Sequence, residues 1–362
     1  MKFKNQLVRI AVMLLVAINI ISCTEDDKKI VTRLPNAVAY MEANAGKYSI
    51  LTDALRKTGL LATLTGAGSY TIFAPSNTAF TAAGFTSVGI NALNPLVPAD
   101  IIAIANLRVI LQNHVLSPGT RAADLLAGGY FRTFAFFRNN APLAPTTATP
   151  LLTSGSQMSI FINQVGANVL INGGATNGGA TVTKADIDLS NGILHEVDAI
   201  IMLPTIVNHI VANPNLSTLL AVATSTAAPF GDQTAVRNIL TGATNLSART
   251  VICPTNMAFT NATTGTGFLT GAAVTPANVT RVLQYHILPP GNRLATFFAE
   301  GFVVNTSTTP VQTFTTLRAG ALGFRIQDNG TAPNNISRFL INDIQGVNGV
   351  LHFVDKVLQP NL

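Results

Sequence analysis

One eight-residue stretch occurs twice in this chain, and that repetition constrains the fold more than any other feature. Asn191-Gly192-Ile193-Leu194-His195-Glu196-Val197-Asp198 returns as Asn348-Gly349-Val350-Leu351-His352-Phe353-Val354-Asp355, each copy closing in an apolar run and a proline, Pro204 or Pro360. Asn-Gly is a turn signal because both residues tolerate positive φ. The residues after it, β-branched and apolar, read as a short strand. Such a unit at wide spacing is the end of a domain that occurs twice.

Two further stretches are duplicated in the same order. Thr71-Ile72-Phe73-Ala74-Pro75-Ser76-Asn77-Thr78-Ala79-Phe80 matches Thr250-Val251-Ile252-Cys253-Pro254-Thr255-Asn256-Met257-Ala258-Phe259. Leu111-Gln112-Asn113-His114-Val115-Leu116 matches Leu283-Gln284-Tyr285-His286-Ile287-Leu288. The three offsets are 179, 172 and 157 residues, so the first copy carries extra residues, mostly after His114. A long period with few copies means tandem domains rather than a solenoid. The expected boundaries are 35–204 and 205–362, with each copy able to fold alone.

Each copy has the same coarse plan. Helical patterns come first, over residues 49–64 and 216–224. A strand then runs into Pro75 or Pro254, after which Ser76-Asn77 or Thr255-Asn256 can cap the next helical turn. Longer helices are expected over 98–116 and 276–288, each with a proline near its start, where the missing N–H costs nothing. Ile101, Ile104, Leu107 and Leu111 give the first an apolar stripe, and Val279, Val282, Leu283 and His286 give the second its equivalent. The rest is strand-like, so helices first and strands later imply an α+β fold.

Ahead of both copies, Lys2, Lys4 and Arg9 precede an apolar run of 12 residues from Ile10 to Ile21. A bilayer needs about 20 helical residues, so this is too short to span one and reads as a secretory signal over residues 1–22. Its end, Ile20-Ile21-Ser22-Cys23, resembles the lipobox of bacterial lipoproteins, which implies acylation at Cys23; otherwise Cys23 is a buried residue of the signal helix. Residues 23–34 form an acidic, polar tether that is either simply solvated or, as it also resembles, an export signal directing lipoproteins of one group of Gram-negative bacteria outward. The expected location is the cell envelope, as an outer-membrane lipoprotein facing outward. With Cys23 acylated, Cys253 has no partner and a disulfide framework is excluded. Removing residues 1–22 takes three basic groups from 22, leaving 19 against 16 acids, or +3. No Lys/Arg cluster follows, which argues against nucleic acid. Charged residues make up only 10% of the chain, so its surface is weakly hydrated and suited to adhesion.

The boxes together, Ala-Pro-Ser/Thr-Asn-x-Ala-Phe, Tyr-His after a helix, and Asn-Gly-x-x-His-x-x-Asp, resemble the fasciclin-like domain. The resemblance covers nearly all of residues 35–362. It implies, for each copy, a β-sandwich-like wedge with helices packed against it, in extracellular or surface proteins associated with adhesion. Some positions depart from the pattern: Asn113 stands where Tyr285 keeps the tyrosine of the Tyr285-His286 pair, and Cys253 replaces the usual alanine as a small buried side chain. In animal members an acidic-x-Asp-Ile segment is linked to integrin binding. The matching positions are Lys184-Ala185-Asp186-Ile187 and Ile341-Asn342-Asp343-Ile344, where Asp-Ile remains and the leading acid does not.

Catalytic patterns are missing from the sequence. There is no Gly-x-Ser-x-Gly elbow, and Gly265-Thr266-Gly267 with Gly271 misses the dinucleotide spacing. The five histidines form no His-x-His or His-x-x-x-His pair, and four occupy equivalent box positions, where they read as backbone-orienting imidazoles. Asp186-x-Asp188-x-Ser190-Asn191-Gly192 imitates a calcium loop with its glycine misplaced and no closing glutamate. In the longer first copy, Arg132, Phe134, Phe136 and Arg138 fall on one face of a strand. They present an aromatic row that could stack on sugar rings or a protein; the preferred reading is that the phenylalanines fill the core beside Phe161 with arginine stems at the rim. The expectation is a non-enzymatic surface lipoprotein without cofactor, binding a surface or matrix protein or a glycan and touching the membrane through its lipid only. The alternative is capture of a glycan or other small molecule. Candidate binding residues are Asp186, Ile187, Asp343, Ile344, Tyr285, His286, Phe134 and Phe136.

Overall fold

The computed structural model describes residues 33–137, 156–241, 248–265, 274–318, 323–330 and 335–362. The signal sequence, Cys23, most of the tether, Arg138 and the glycines at 266–271 lie outside the described residues. Pro35–Leu362 forms one compact unit.

The first domain runs α1 (Ala37–Ala43), α2 (Ala45–Lys57), α3 (Leu61–Thr65), β1 (Tyr70–Pro75), α4 (Asn77–Ala82), α5 (Ser87–Ala92), α6 (Pro98–Gln112), β2 (Val115–Leu116), α7 (Ala122–Leu125), β3 (Gly129–Phe136), β4 (Gln157–Val165), β5 (Asn168–Ile171), β6 (Ala180–Leu189) and β7 (Gly192–Val197). The second runs α8 (Ile206–Ala212), α9 (Ser217–Ala223), β8 (Thr226–Ala227), β9 (Gly231–Asp232), α10 (Thr234–Thr241), β10 (Arg249–Pro254), α11 (Asn256–Gly265), α12 (Pro276–Tyr285), β11 (Val303–Asn305), β12 (Thr313–Arg318), β13 (Phe324–Gln327), β14 (Ile336–Gly346) and β15 (Gly349–Val354). Helices precede most strands in both, as the α+β reading requires. The first domain's strands close on themselves in the order β1 to β7, and the second's form a six-stranded sheet, β10-β15-β14-β13-β12-β11.

The duplicated boxes meet in space. β1 pairs parallel with β7, Tyr70 opposite Gly192 and Phe73 opposite His195, and antiparallel with β2. β10 and β15 repeat this with Arg249 opposite Gly349 and Ile252 opposite His352. The second box supplies the other neighbour, since the N–H of Phe73 donates to the carbonyl of His114 and that of Ile252 to the carbonyl of His286. Successive side chains on a strand face opposite ways. Ile72 and Ala74 therefore pack on the helices, and Phe73 points into the barrel with Ile160, Ile162 and Val197. Val251, Cys253 and Ile252 divide in the same manner.

Two helix expectations change. The run over residues 49–64 is two helices, because Gly59 adopts φ +72°. There Leu60 N–H donates to Leu55 O and Gly59 N–H to Arg56 O, a Schellman turn that closes α2. The helices expected to reach 116 and 288 stop at Gln112 and Tyr285. Nδ1 of His114 donates to Ile110 O at 2.8 Å, and His286 does the same to Val282 O. Val115-Leu116 then leaves the helix to pair with β1.

The domains pack against each other. Tyr130 of β3 sets its ring against His209 and Phe353, at 5.5 and 5.7 Å between centroids, and the N–H of Gln345 donates to Ser159 Oγ at 3.1 Å.

Candidate functional site

The Asp-Ile positions form a structural bulge. In β6, Lys184 faces Glu196 and Ile187 faces Leu194, so the β6 side carries one extra residue. In β14, Ile341 faces Phe353 and Ile344 faces Leu351, the same arrangement. Asp186 and Asp343 take φ 58° and 60° there, a conformation Asp tolerates better than most residues. The bulge removes each aspartate's N–H from the ladder, and a histidine supplies the lost partner: Asp186 N–H donates to His195 Nδ1 at 3.3 Å, Asp343 N–H to His352 Nδ1 at 3.4 Å. Each carboxylate in turn accepts from the backbone, Asp186 Oδ1 from Ala122 N–H at 2.8 Å and Asp343 Oδ1 from Ala295 N–H at 2.7 Å. Ile344 is 1% exposed and cannot meet a partner in the folded domain, while Ile187 and both aspartates keep some exposure.

Tyr285 and His286 are interior residues too. Tyr285 Oη donates to Thr313 O at 2.7 Å, and His286 Nε2 accepts from Leu358 N–H at 2.9 Å. Asn113, in the tyrosine's place, donates from Nδ2 to Met202 O at 3.1 Å. His114 and His286 thus carry their proton on Nδ1. His195 and His352 carry theirs on Nε2 and donate to Thr120 O and Arg293 O at 2.9 and 2.8 Å. Burial lowers the affinity of all four for a second proton. Cys253 is fully buried and burial pushes its thiol up. Glu196, a carboxylate of the first closing box, is bound by Lys47 at 2.6 Å and by Tyr48 Oη at 3.0 Å. Burial raises its pKa, but these hydrogen bonds outweigh that and hold it below the ordinary value. Among the described residues no group of three His, Cys, Asp or Glu could hold a metal ion, and no single helix is long and apolar enough to cross a membrane.

Phe134 and Phe136 do not fill the core beside Phe161, whose ring meets Tyr130 instead. Alternation along β3 turns Thr133 and Ala135 inward and leaves both phenylalanines half-buried, Phe134 packing edge-on to Tyr70. They line a cavity of about 370 Å³ with Leu55, Leu60, Leu64 and Val115. Arg108 of α6 borders the same cavity, and among the described residues its buried Nε has no hydrogen-bond partner. Sequence reasoning missed Arg108. The signal was a single cation inside the apolar run from Ile101 to Leu111.

The fasciclin domain model matches residues 46–204 and again 223–360. Protein sll1483 of Synechocystis is 28% identical over 171 residues, 47% of this chain and 76% of that protein. Among solved structures, the FAS1 domain pair from the insect cell adhesion molecule fasciclin I is similar with TM-score 0.46 and 16% identity, covering 88% of this chain and 94% of that one. Both halves answer to one family model, and their boxes pair in one register, so this protein belongs to the fasciclin domain family as a tandem pair.

Proposed function

We propose that this is a lipid-anchored, non-enzymatic cell-surface protein working in adhesion, matrix attachment or cell–cell contact. The observation that carries it is the pair of fasciclin domains, a kind of domain often involved in adhesion. Four of the five histidines are committed through both ring nitrogens to backbone groups, which leaves them no role in turnover. Leu340 and Ile341, 54% and 44% exposed on β14, offer apolar surface beside the interdomain cleft. Partners on this reading are a surface or matrix protein or a glycan, with Cys23 carrying the lipid and the chain facing outward from the cell envelope.

The test compares cells carrying the intact chain, Cys23→Ala, or no chain in palmitate labelling and surface attachment. Cys23→Ala is expected to lose both the label and attachment. Undiminished labelling removes the anchor, and equal attachment by cells lacking the chain removes the adhesive role. A second reading, small-ligand capture on the aromatic strand, is favoured by the cavity that Phe134 and Phe136 line.

A further inference from the structure

We propose that the cavity of the first domain binds an amphipathic organic acid, its apolar body against Phe134, Phe136 and Leu64 and its carboxylate on Arg108. The proposal rests on the small-ligand reading and names its ligand class.

Three observations carry it. The cavity, about 370 Å³, falls within the range of about 300–1,000 Å³ typical of small-molecule sites. Its walls are apolar side chains from α2, α3, β2 and β3, with Thr63, Gln112 and Gln157 as the polar remainder and no carboxylate among them. Arg108 is the one cation among the described lining residues. Among the described residues it makes no hydrogen bond or ion pair, and its Nε is buried. A partly desolvated guanidinium without an acceptor is costly, and a carboxylate satisfies it with two parallel hydrogen bonds. The guanidinium lies against the Gly59 turn, where a Cβ would stand 3.6 Å from Nη1.

The second domain serves as an internal comparison. Asn191 Nδ2 donates to Leu64 O and Asn348 Nδ2 to Leu240 O, so Leu64 and Leu240 are counterparts. The space beside Leu240, lined also by Ala223, Leu283 and Ile287, is only about 10 Å³. The helix offset of 172 residues places Thr280 opposite Arg108. Thr280 Oγ1 has partners in Gln233 and the carbonyl of Pro276. Among the described residues, the same framework is thus a filled core in one domain and a pocket with an unpaired cation in the other. Burying a lone charge without a function is disfavoured.

Equilibrium dialysis of the full chain against labelled decanoate, decanol and decyltrimethylammonium tests this. Decanoate is expected to bind at one site per chain and the cationic amphiphile not to bind. Arg108→Gln should weaken decanoate about tenfold or more while leaving decanol unchanged. Phe136→Ala, checked for an unchanged circular dichroism spectrum, should weaken both. Equal binding of all three probes, or an unaffected Arg108→Gln, overturns the acid and leaves the small-ligand reading standing. No uptake of any probe overturns both. A concentration-dependent dimer that Phe136→Asp abolishes, without decanoate uptake, also overturns the proposal and assigns the groove to a second copy of this chain.

Discussion

His352 holds Asp343 at the bulge of the second domain. Its Nδ1 accepts the aspartate's N–H at 3.4 Å, and its Nε2 donates to Arg293 O at 2.8 Å, two residues before the Ala295 N–H that Asp343 Oδ1 accepts at 2.7 Å. One imidazole thereby joins the bulge, the last strand and the loop leading to β11. Because Asp343 Oδ1 lies 3.9 Å from the neutral ring, the link is a hydrogen-bond relay through backbone rather than an ion pair.

Truncating that ring leaves a buried N–H and a carbonyl unpaired. Each such loss costs about 1–3 kcal/mol, a large share of a typical margin of about 5–15 kcal/mol. His352→Ala and His195→Ala should each lower the melting temperature of the chain, with attachment lost only where folding is lost. Calorimetry beside the attachment assay checks this. Full stability with abolished attachment would place a functional site at the histidine.

Gly349 approaches the neighbouring parallel strand so closely that a Cβ would sit 2.0 Å from Arg249 O, and its φ is +148°. Gly192 meets Tyr70 O at the same distance. Gly349→Ala should cost about 3 kcal/mol or more. Gly46→Ala, in α2 with open space around it, should be neutral or stabilise by about 1 kcal/mol. Urea titration of both variants distinguishes a local steric demand from general glycine loss.

Acid should destabilise the protein over a defined window. Burial pushes His114, His209 and His286 down to about 4, whereas in the unfolded chain they protonate near ~6.5. As pH falls through that interval only the unfolded state takes up protons. Stability is full above ~6.5, and the loss is complete below about 4, at up to about 3 kcal/mol per histidine. Asp328 opposes this, since burial raises its carboxyl to about 6 and protonation favours the folded form, but it is one group against three. The urea midpoint should therefore fall steeply between pH 6.5 and pH 4. A flat profile contradicts the neutral buried histidines.

Cys253 should not react with a disulfide reagent in the native protein. It is fully buried and its thiol is pushed up by that burial, so neither access nor thiolate is available. Modification at the rate of global unfolding, measured against urea, is the expected result. Fast labelling in buffer shows that β10 opens independently.

The domains should melt together. Tyr130 contributes its ring to the second domain's core beside His209 and Phe353, and Tyr130→Ala should cost roughly 2–3 kcal/mol and split one calorimetric transition into two. Two separate transitions in the unaltered chain would mean the interface adds little.

Much of the candidate site was legible because it was written twice. Phe73 and Ile252, His195 and His352, and Gly192 and Gly349 could be matched by eye, and the structure pairs them in one register. The bulge was not legible, because alternation of Asp186 and Ile187 with their neighbours is compatible with an unbroken strand. Only the opposing Leu194 and Glu196 show that β6 carries an extra residue. The ends of α6 and α12 escaped for a related reason. Leu111 to Leu116 is apolar in a way that suits either helix or strand, and the decision comes from β1 needing an antiparallel neighbour.

The sequence by itself determined the tandem organisation, the order of helices and strands, the turns at Asn-Gly and the prolines at the helix starts. These follow from local φ preferences, hydrophobic period and repetition, which act over a few residues and need no partner. Tertiary structure alone decided that the three boxes lie side by side. It also decided that Asp186 and Asp343 brace loops, that Ile344 is core, and that Phe134, Phe136 and Arg108 surround a cavity whose counterpart beside Leu240 is, among the described residues, almost filled. Those outcomes depend on which side chains from distant segments fill a shared volume. Leu240, Ala223 and Ile287 fill theirs, whereas Leu64, Leu55 and Val115 leave about 370 Å³ open, a difference in packing that no local pattern encodes.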